Sequence, residues 1–199
     1  MDSQGLISAD TVDEFYKSLS VLSRAVNHIL QNRAVEETLG AGVSYSKVQV
    51  LRLLSRRGGQ TSSQIARFLG IRRPSVSQIT EALERIGWIT SRVGDHDGRE
   101  SIHELSDEGQ RKFFMVRRQQ RHLLRNTMML ADESDVQGWS GTLHTIAGLL
   151  ARSDRAFKDY CLHCGAHADG TCVLIGGEAD CAFLRRRDVG KRTVIRKRA

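Results

Sequence analysis

The stretch that decides the fold is residues 61–105, TSSQIARFLGIRRPSVSQITEALERIGWITSRVGDHDGRESIHEL. Apolar residues recur at three- and four-residue spacing in its first half, which predicts two short helices with a turn at Gly70. Two β-prone segments follow, Trp88 to Arg92 and Ser101 to Leu105, and the polar GDHDGRE between them is typical of a hairpin. Helix, turn, helix and hairpin in this order predict a winged helix-turn-helix, which places one helix in the DNA major groove and a wing beside it.

The second helix of this motif has a polar side suited to DNA. Pro74 is expected as its first residue, where the missing N–H costs nothing. The side chains predicted to contact DNA from the start of this helix are Arg72, Arg73, Pro74, Ser75, Ser77 and Gln78. Gln78 is able to pair bidentately with adenine, whereas arginines bind phosphates. Arg99, at the predicted wing tip, has a charge and shape that suit a narrow minor groove.

The same residues form a pattern that is shared with a known family. It runs from LGIRRPSVSQITEALERIGWI through DGRES to LSDEG, which ends at Gly109. This pattern resembles the MarR family of bacterial regulators, whose wing signature Asp-x-Arg matches Asp97-Gly98-Arg99. The resemblance implies that Asp97 orients Arg99. It also implies a homodimer whose two heads bind the halves of a pseudo-palindromic operator in double-stranded DNA.

Helical patterns flank the motif on both sides. Residues 10–39 have the spacing of one long amphipathic helix, capped by Asp10 or Thr11, and the next helix spans Ser44 to Arg57. Two more helices follow the hairpin, and the first opens at Ser106. The predicted fold class is mainly α with a small β-wing: a winged helix-turn-helix head on a helical dimerisation base, plus a short Cys-rich module. The predicted divisions are 1–43 (N-terminal dimerisation helix), 44–105 (DNA-binding domain), 106–159 (C-terminal dimerisation helices), 160–184 (Cys-rich module) and 185–199 (basic tail).

Charge is distributed unevenly along the chain. The formal net charge is +7, and residues 185–199 alone contain eight basic residues and one acid. Residues 47–99 contain ten Lys or Arg and four acids. Basic regions on an otherwise balanced chain favour a polyanionic partner such as DNA. The sequence shows no apolar run of bilayer length and no signal-peptide pattern at its start, so we expect a cytoplasmic protein without a membrane partner.

All four cysteines fall within one short segment near the C-terminal end. They are Cys161, Cys164, Cys172 and Cys181, with the spacing C-x2-C-x7-C-x8-C. Cytosolic thiols stay reduced, so this concentration indicates a metal site rather than disulfides. The first pair resembles one zinc knuckle, but the loose spacing of the second pair fits an iron–sulfur cluster better. We expect an iron–sulfur cluster; Zn²⁺ is the alternative, and free thiols or a redox disulfide pair remain a third reading.

These features together predict a sequence-specific transcriptional regulator whose DNA affinity is modulated by a Cys-ligated iron–sulfur cluster acting as a redox or iron sensor. The alternative is a MarR-like regulator that responds to a small organic ligand and uses the cysteines for structural zinc. An RNA-binding winged helix also stays open. An enzyme is not expected, because the sequence has no Gly-rich phosphate loop and no arrangement of catalytic Ser, His and Asp. The trio Asp95, His96 and Asp97 is more typical of a solvated turn than of a metal site.

Overall fold

The computed structural model describes residues 7–94 and 100–153, which are mainly helical with one small sheet. The helical elements in chain order are α1 (Ala9–Ala25), a π-helical segment (Val26–Arg33), α2 (Ala34–Leu39), α3 (Tyr45–Arg57), α4 (Ser62–Leu69), α5 (Arg73–Arg85), α6 (Asp107–Thr127) and α7 (Glu133–Ser153). The strands are β1 (Gln60–Thr61), β2 (Ile89–Val93) and β3 (Ser101–Leu105). The predicted class, mainly α with a small β-wing, is confirmed. The predicted Cys-rich module lies outside the described residues.

The sheet contains one strand that the sequence does not predict. Its order is β1–β3–β2, and both pairings are antiparallel. In β1, Gln60 pairs with His103 and Thr61 with Ile102. Two residues are too few for an alternating pattern, so this strand is defined only by its partner. The predicted bounds of β3 are correct, whereas β2 begins at Ile89, one residue later than expected.

The core lies between α3, α4, α5 and the inner side of the sheet, and it extends to Val35 of α2 and to Phe113 and Val116 of α6. Five apolar residues of α3 form its core face and are buried: Val48, Val50, Leu51, Leu53 and Leu54. In α4, Ile65 and Phe68 are buried, and Leu69 is partly buried against the same core. Ile86 continues the helical spacing of Val76 and Leu83 but is 45% exposed, because α5 ends at Arg85 and the chain turns away.

A long helical arm precedes the head and differs from the single α-helix expected over residues 10–39. It begins at Ala9, and its cap is Ser8, whose hydroxyl accepts a hydrogen bond from the Thr11 amide at 3.2 Å. It ends at Gly40, with φ 83°, as predicted. Its middle eight residues are π-helical. Helical stretches of this kind are rare and are usually a single turn. The spacing of apolar residues does not reveal a π-helix. It shows which side of a helix is buried, but not whether each amide bonds to the carbonyl four or five residues earlier.

Polar side chains of α6 attach this arm to the rest of the protein. Gln120 donates a hydrogen bond at 2.8 Å to the backbone carbonyl of Leu30 in the π-helical segment. Gln119 donates to one carboxylate oxygen of Glu37 at 2.9 Å, and Arg33 donates to the other at 2.6 Å. The bond from Arg33, followed by that from Gln119, lowers the pKa of Glu37 below its ordinary value. The ionised form of this carboxylate is therefore the form that holds the contact.

The start of α6 is bound closely to the turn between α5 and β2. The Ser106 hydroxyl accepts from the Gly109 amide at 3.0 Å and donates to the Gly87 carbonyl at 2.7 Å. The Ser106 amide donates to the Trp88 carbonyl at 3.1 Å. Gly109 lies so close to this carbonyl that a Cβ atom would overlap it. The predicted opening of the helix at Ser106 is confirmed, and α6 starts against the base of the wing.

None of the helices within residues 7–94 and 100–153 combines the length and the hydropathy needed to cross a membrane.

Candidate nucleic-acid interface

The two helices of the helix-turn-helix are set by local signals that flank the turn. Thr61 and Gln64 form a capping box at the start of α4, in which each side chain accepts from the other residue's backbone amide. Gly70 adopts the left-handed conformation, with φ 66°, and ends the helix. The Ile71 amide then donates to the Ala66 carbonyl at 3.1 Å, which turns the chain towards α5.

Helix α5 has one buried side and one exposed side. Val76, Thr80 and Leu83 face the core, and the Thr80 hydroxyl donates within its own helix, with the carbonyls of Val76 and Ser77 both at 3.1 Å. The helix begins at Arg73, so Pro74 is its second residue rather than its first. The core contact fixes which side chains face outward.

The residues predicted to contact DNA from this helix lie together on its exposed first turns. All six are exposed: Arg72, Arg73, Pro74, Ser75, Ser77 and Gln78. The Ser77 hydroxyl is bonded weakly to the Arg73 carbonyl, at 3.4 Å. Within the described residues, the side chains of Ser75 and Gln78 have no hydrogen-bond partner, so their polar groups are available to an external ligand. Arg72 and Arg73 likewise form no ion pair with a described residue and place two positive charges at the helix start.

The wing strands lie beside this helix, and their pairing continues towards the tip. The Gly94 amide donates to the Glu100 carbonyl at 2.8 Å, just beyond the β2–β3 ladder. Across the strands, Arg92 and Glu104 form an exposed ion pair at 2.9 Å. Residues 95–99, which include the predicted wing residues Asp97 and Arg99, lie outside the described residues.

A polar cluster around the buried His103 connects the wing to α5, and sequence reasoning did not find it. The His103 cluster consists of Ser62, Glu84, Ser91 and His103, which come from α4, α5, β2 and β3. His103 Nε2 is 2.9 Å from the Ser62 hydroxyl, and Nδ1 is 2.6 Å from the Ser91 hydroxyl and 3.3 Å from a Glu84 carboxylate oxygen. Ser91 also donates to Glu84. The residues bonded to His103 are 12 to 41 positions away in sequence, so no local pattern indicates the cluster.

The remaining predicted sites lie beyond the residues that the structure describes. These are the four cysteines, Cys161, Cys164, Cys172 and Cys181, together with the basic tail. Their metal-binding role stays a prediction.

The head is similar in sequence to known proteins. Residues 41–100 match the model of the MarR family. A curated relative, the uncharacterised HTH-type transcriptional regulator YwoH of Bacillus subtilis, is 29% identical over 85 residues, which are 43% of this chain and 61% of the relative. The chain thus spans less than two thirds of that relative's length.

Solved structures agree on the fold. A MarR family protein from Bacillus stearothermophilus superposes with a TM-score of 0.64 at 14% identity and covers 73% of this chain and 99% of its own. A second structure is Sco3205, a MarR family transcriptional regulator from Streptomyces coelicolor in complex with DNA. It has a TM-score of 0.57 at 17% identity and covers 73% of this chain and 91% of its own. Residues 41–100 are therefore similar in sequence to the MarR family, and the described residues share the winged-helix fold of these two structures.

Proposed function

We propose that this chain is a DNA-binding transcriptional regulator in which α5 enters the major groove. The observation that supports this most directly is the exposed polar start of α5, where Ser75 and Gln78 follow Arg72 and Arg73. None of these four side chains has a polar partner among the described residues. The buried side of the same helix holds this row outward. A helix N-terminus with small polar residues permits close approach to base edges. The matched family consists of transcriptional regulators and not of enzymes.

Individual contacts follow from the chemistry of these side chains. Gln78 reads a base, with adenine as its expected partner, and Ser75 meets a base or a phosphate. Arg72 and Arg73 bind phosphates at the groove edge, which positions the helix without selecting sequence. Arg99 enters the minor groove next to the wing, and Asp97 orients it.

Selection of duplexes from a random pool tests DNA recognition directly. We expect enrichment of a pseudo-palindrome whose half-sites lie about one helical turn, or a multiple of it, apart. Gln78→Ala should weaken binding to the selected duplex but leave binding to a shuffled duplex unchanged, whereas Arg73→Ala should weaken both. A chain that enriches no duplex, or that prefers structured RNA over every duplex, would overturn the proposal.

We further propose that the working form is a homodimer built from the terminal helices. Helix α1 has no buried residue, and Phe15 and Tyr16 are 47% and 70% exposed. In α7 an apolar stripe that includes Trp139 and Leu143 is largely uncovered, and these two residues are 50% and 44% exposed. Exposed apolar surface of this extent on two long helices indicates a protein partner. A second copy of the chain supplies the same two surfaces.

Charge also supports a second copy as the partner. The first turns of α1 contain Asp10, Asp13 and Glu14, while α6 after its first turn contains six basic residues and no acid. Three of these arginines, Arg118, Arg121 and Arg125, are exposed and form no ion pair with a described residue. The acidic first turns of α1 in one protomer are therefore complementary in charge to the basic surface of α6 in the other protomer.

Light scattering tests the dimer with a matched pair of variants on α7. Leu143→Glu places a charge in the apolar stripe, and Thr145→Glu places the same charge on the opposite side of the helix. We expect the wild type and Thr145→Glu to elute with the mass of two chains and Leu143→Glu with the mass of one. Monomeric wild-type protein at micromolar concentration would contradict the proposal.

For the Cys-rich segment we propose an iron–sulfur cluster held by Cys161, Cys164, Cys172 and Cys181, whose state modulates DNA affinity. Four thiolates are the donor set that such clusters require, and one C-x2-C pair with two looser cysteines suits them. The segment follows α7 closely in sequence, so a change in it is able to reach the proposed dimer base. Bound zinc is the competing occupant, and a small organic ligand would then be the signal.

An absorption spectrum of protein purified without oxygen, with iron, sulfide and zinc assays on the same sample, separates these cases. The proposal expects a brown protein with broad absorption near about 400 nm and equivalent iron and sulfide. Cys164→Ser should lose the colour and change DNA affinity. A colourless protein with about one zinc per chain would replace the cluster with a structural site.

A further inference from the structure

The His103 cluster forms a continuous chain of hydrogen bonds. The Ser62 hydroxyl is bonded to Nε2 of His103, Nδ1 is bonded to the Ser91 hydroxyl, and Ser91 donates to the Glu84 carboxylate. Among the described residues, no buried side-chain polar atom is left without a partner. One continuous chain of bonds therefore runs from α4 through both wing strands to α5.

The position of the cluster relates it to the proposed DNA contacts. Glu84 lies in the last turns of α5, while Ser75 and Gln78 lie in its first turns. Ser91 and His103 face each other in the β2–β3 ladder, which leads to the wing tip. The cluster is thus the polar connection between the helix that reads bases and the strands that present the wing. His103 is 5% exposed, so water competes little for the bonds made by its ring.

We propose that Glu84 and His103 are positioning residues that set the orientation of the wing relative to α5 in the DNA complex. The proposal rests on the DNA-binding function above. Apolar contacts are non-directional and allow two elements to shift, whereas a satisfied chain of hydrogen bonds has one geometry. A wing that moves freely relative to α5 must be ordered when DNA binds, and that ordering lowers the affinity. The contacts of α5 and of the wing therefore cooperate only if their separation is fixed before binding.

A pair of single variants on α5 tests the proposal with opposite expected signs. Glu84→Ala breaks the end of the cluster, and Glu81→Ala removes the same charge from an exposed residue of the same helix that has no partner among the described residues. Loss of a negative charge alone strengthens binding to a polyanion. We therefore expect Glu81→Ala to bind the selected duplex slightly more tightly and Glu84→Ala to bind it about fivefold more weakly. Equal strengthening by both variants would refute the positioning role.

A double variant separates positioning from a general loss of structure. Arg99→Ala alone should weaken binding about tenfold or more if the wing contacts DNA. In the Glu84→Ala background, Arg99→Ala should cost clearly less, because a displaced wing no longer delivers its contact. Full additivity in protein with an unchanged circular dichroism spectrum would reject the inference. An Arg99→Ala variant with wild-type affinity would instead reject the wing contact in the proposed function.

Ser91→Ala provides a second route if Glu84→Ala unfolds the head. It removes the intermediate hydroxyl of the cluster at an exposed residue of β2 and leaves the charge of the protein unchanged. We expect the same loss of affinity and the same reduced cost of Arg99→Ala. Wild-type affinity in Ser91→Ala, with a wild-type melting temperature, would also contradict the proposal.

Discussion

Gly109→Ala should destabilise the head through a single methyl group. The glycine lies in the first turn of α6 with the Trp88 backbone carbonyl directly against it, and a Cβ atom would overlap that carbonyl. It would also lie 2.9 Å from Leu105 Cδ1. A side chain is able to rotate away from such a contact, but a backbone carbonyl that accepts the Ser106 amide is not. Accommodation therefore requires α6 to move away from the base of the wing.

The expected cost is about 3 kcal/mol, at the upper end of the range for overpacking, because the obstacle is rigid. For a chain of this length that corresponds to a fall in melting temperature of about 6–12 °C. Thermal unfolding followed by circular dichroism at 222 nm measures it. Gly141→Ala is the matched control, since a Cβ there meets nothing within 4 Å. In that helical position the change should stabilise the protein by about 0.5–1 kcal/mol. A Gly109→Ala variant that melts within about 2 °C of the wild type would refute the close approach.

Three further expectations concern the α4–α5 unit and the arm. Gln78→Ala should leave the salt dependence of DNA binding unchanged, whereas Arg73→Ala should reduce the slope of log K against log salt by about one, as read from anisotropy titrations. Thr61→Ala removes the capping box with Gln64 and should cost about 1 kcal/mol in urea unfolding, and a variant as stable as the wild type would exclude a role for the cap. The lowered pKa of Glu37 means that its ionised form stabilises the fold above the ordinary carboxyl pKa, and that this contribution is lost as pH falls through the folded-state pKa. Glu37→Gln should therefore flatten the decline in melting temperature on acidification, and an unchanged pH profile would argue against the contact.

Much of the candidate interface is predictable because its determinants are local. The exposed row on α5 follows from the helical spacing of Val76 and Leu83, which face the core and so turn Ser75 and Gln78 outward. The turn before it follows from Gly70, which adopts the left-handed conformation that glycine tolerates. Such signals act within one or two helical turns, and a single sequence contains them in full.

The His103 cluster could not be predicted in the same way. A histidine in a short β-prone segment is read as one more polar residue of a hairpin. Its burial depends on the pairing of β3 with both neighbours, and its partners arrive from α4, α5 and β2. Only the closed fold brings four side chains from four elements within hydrogen-bond distance.

What the sequence by itself determined is the order and type of the elements, because helical spacing, capping residues and turn glycines act locally. The opening of α6 at Ser106 and the end of the arm at Gly40 are of this kind. The tertiary structure alone decided the pairing of β1, the π-helical segment of the arm and the close contact of Gly109 with Trp88. The β1 pairing and the Gly109 contact depend on partners distant in the chain. The π-helical segment depends on which carbonyl each amide bonds to, and the spacing of apolar residues does not encode that choice.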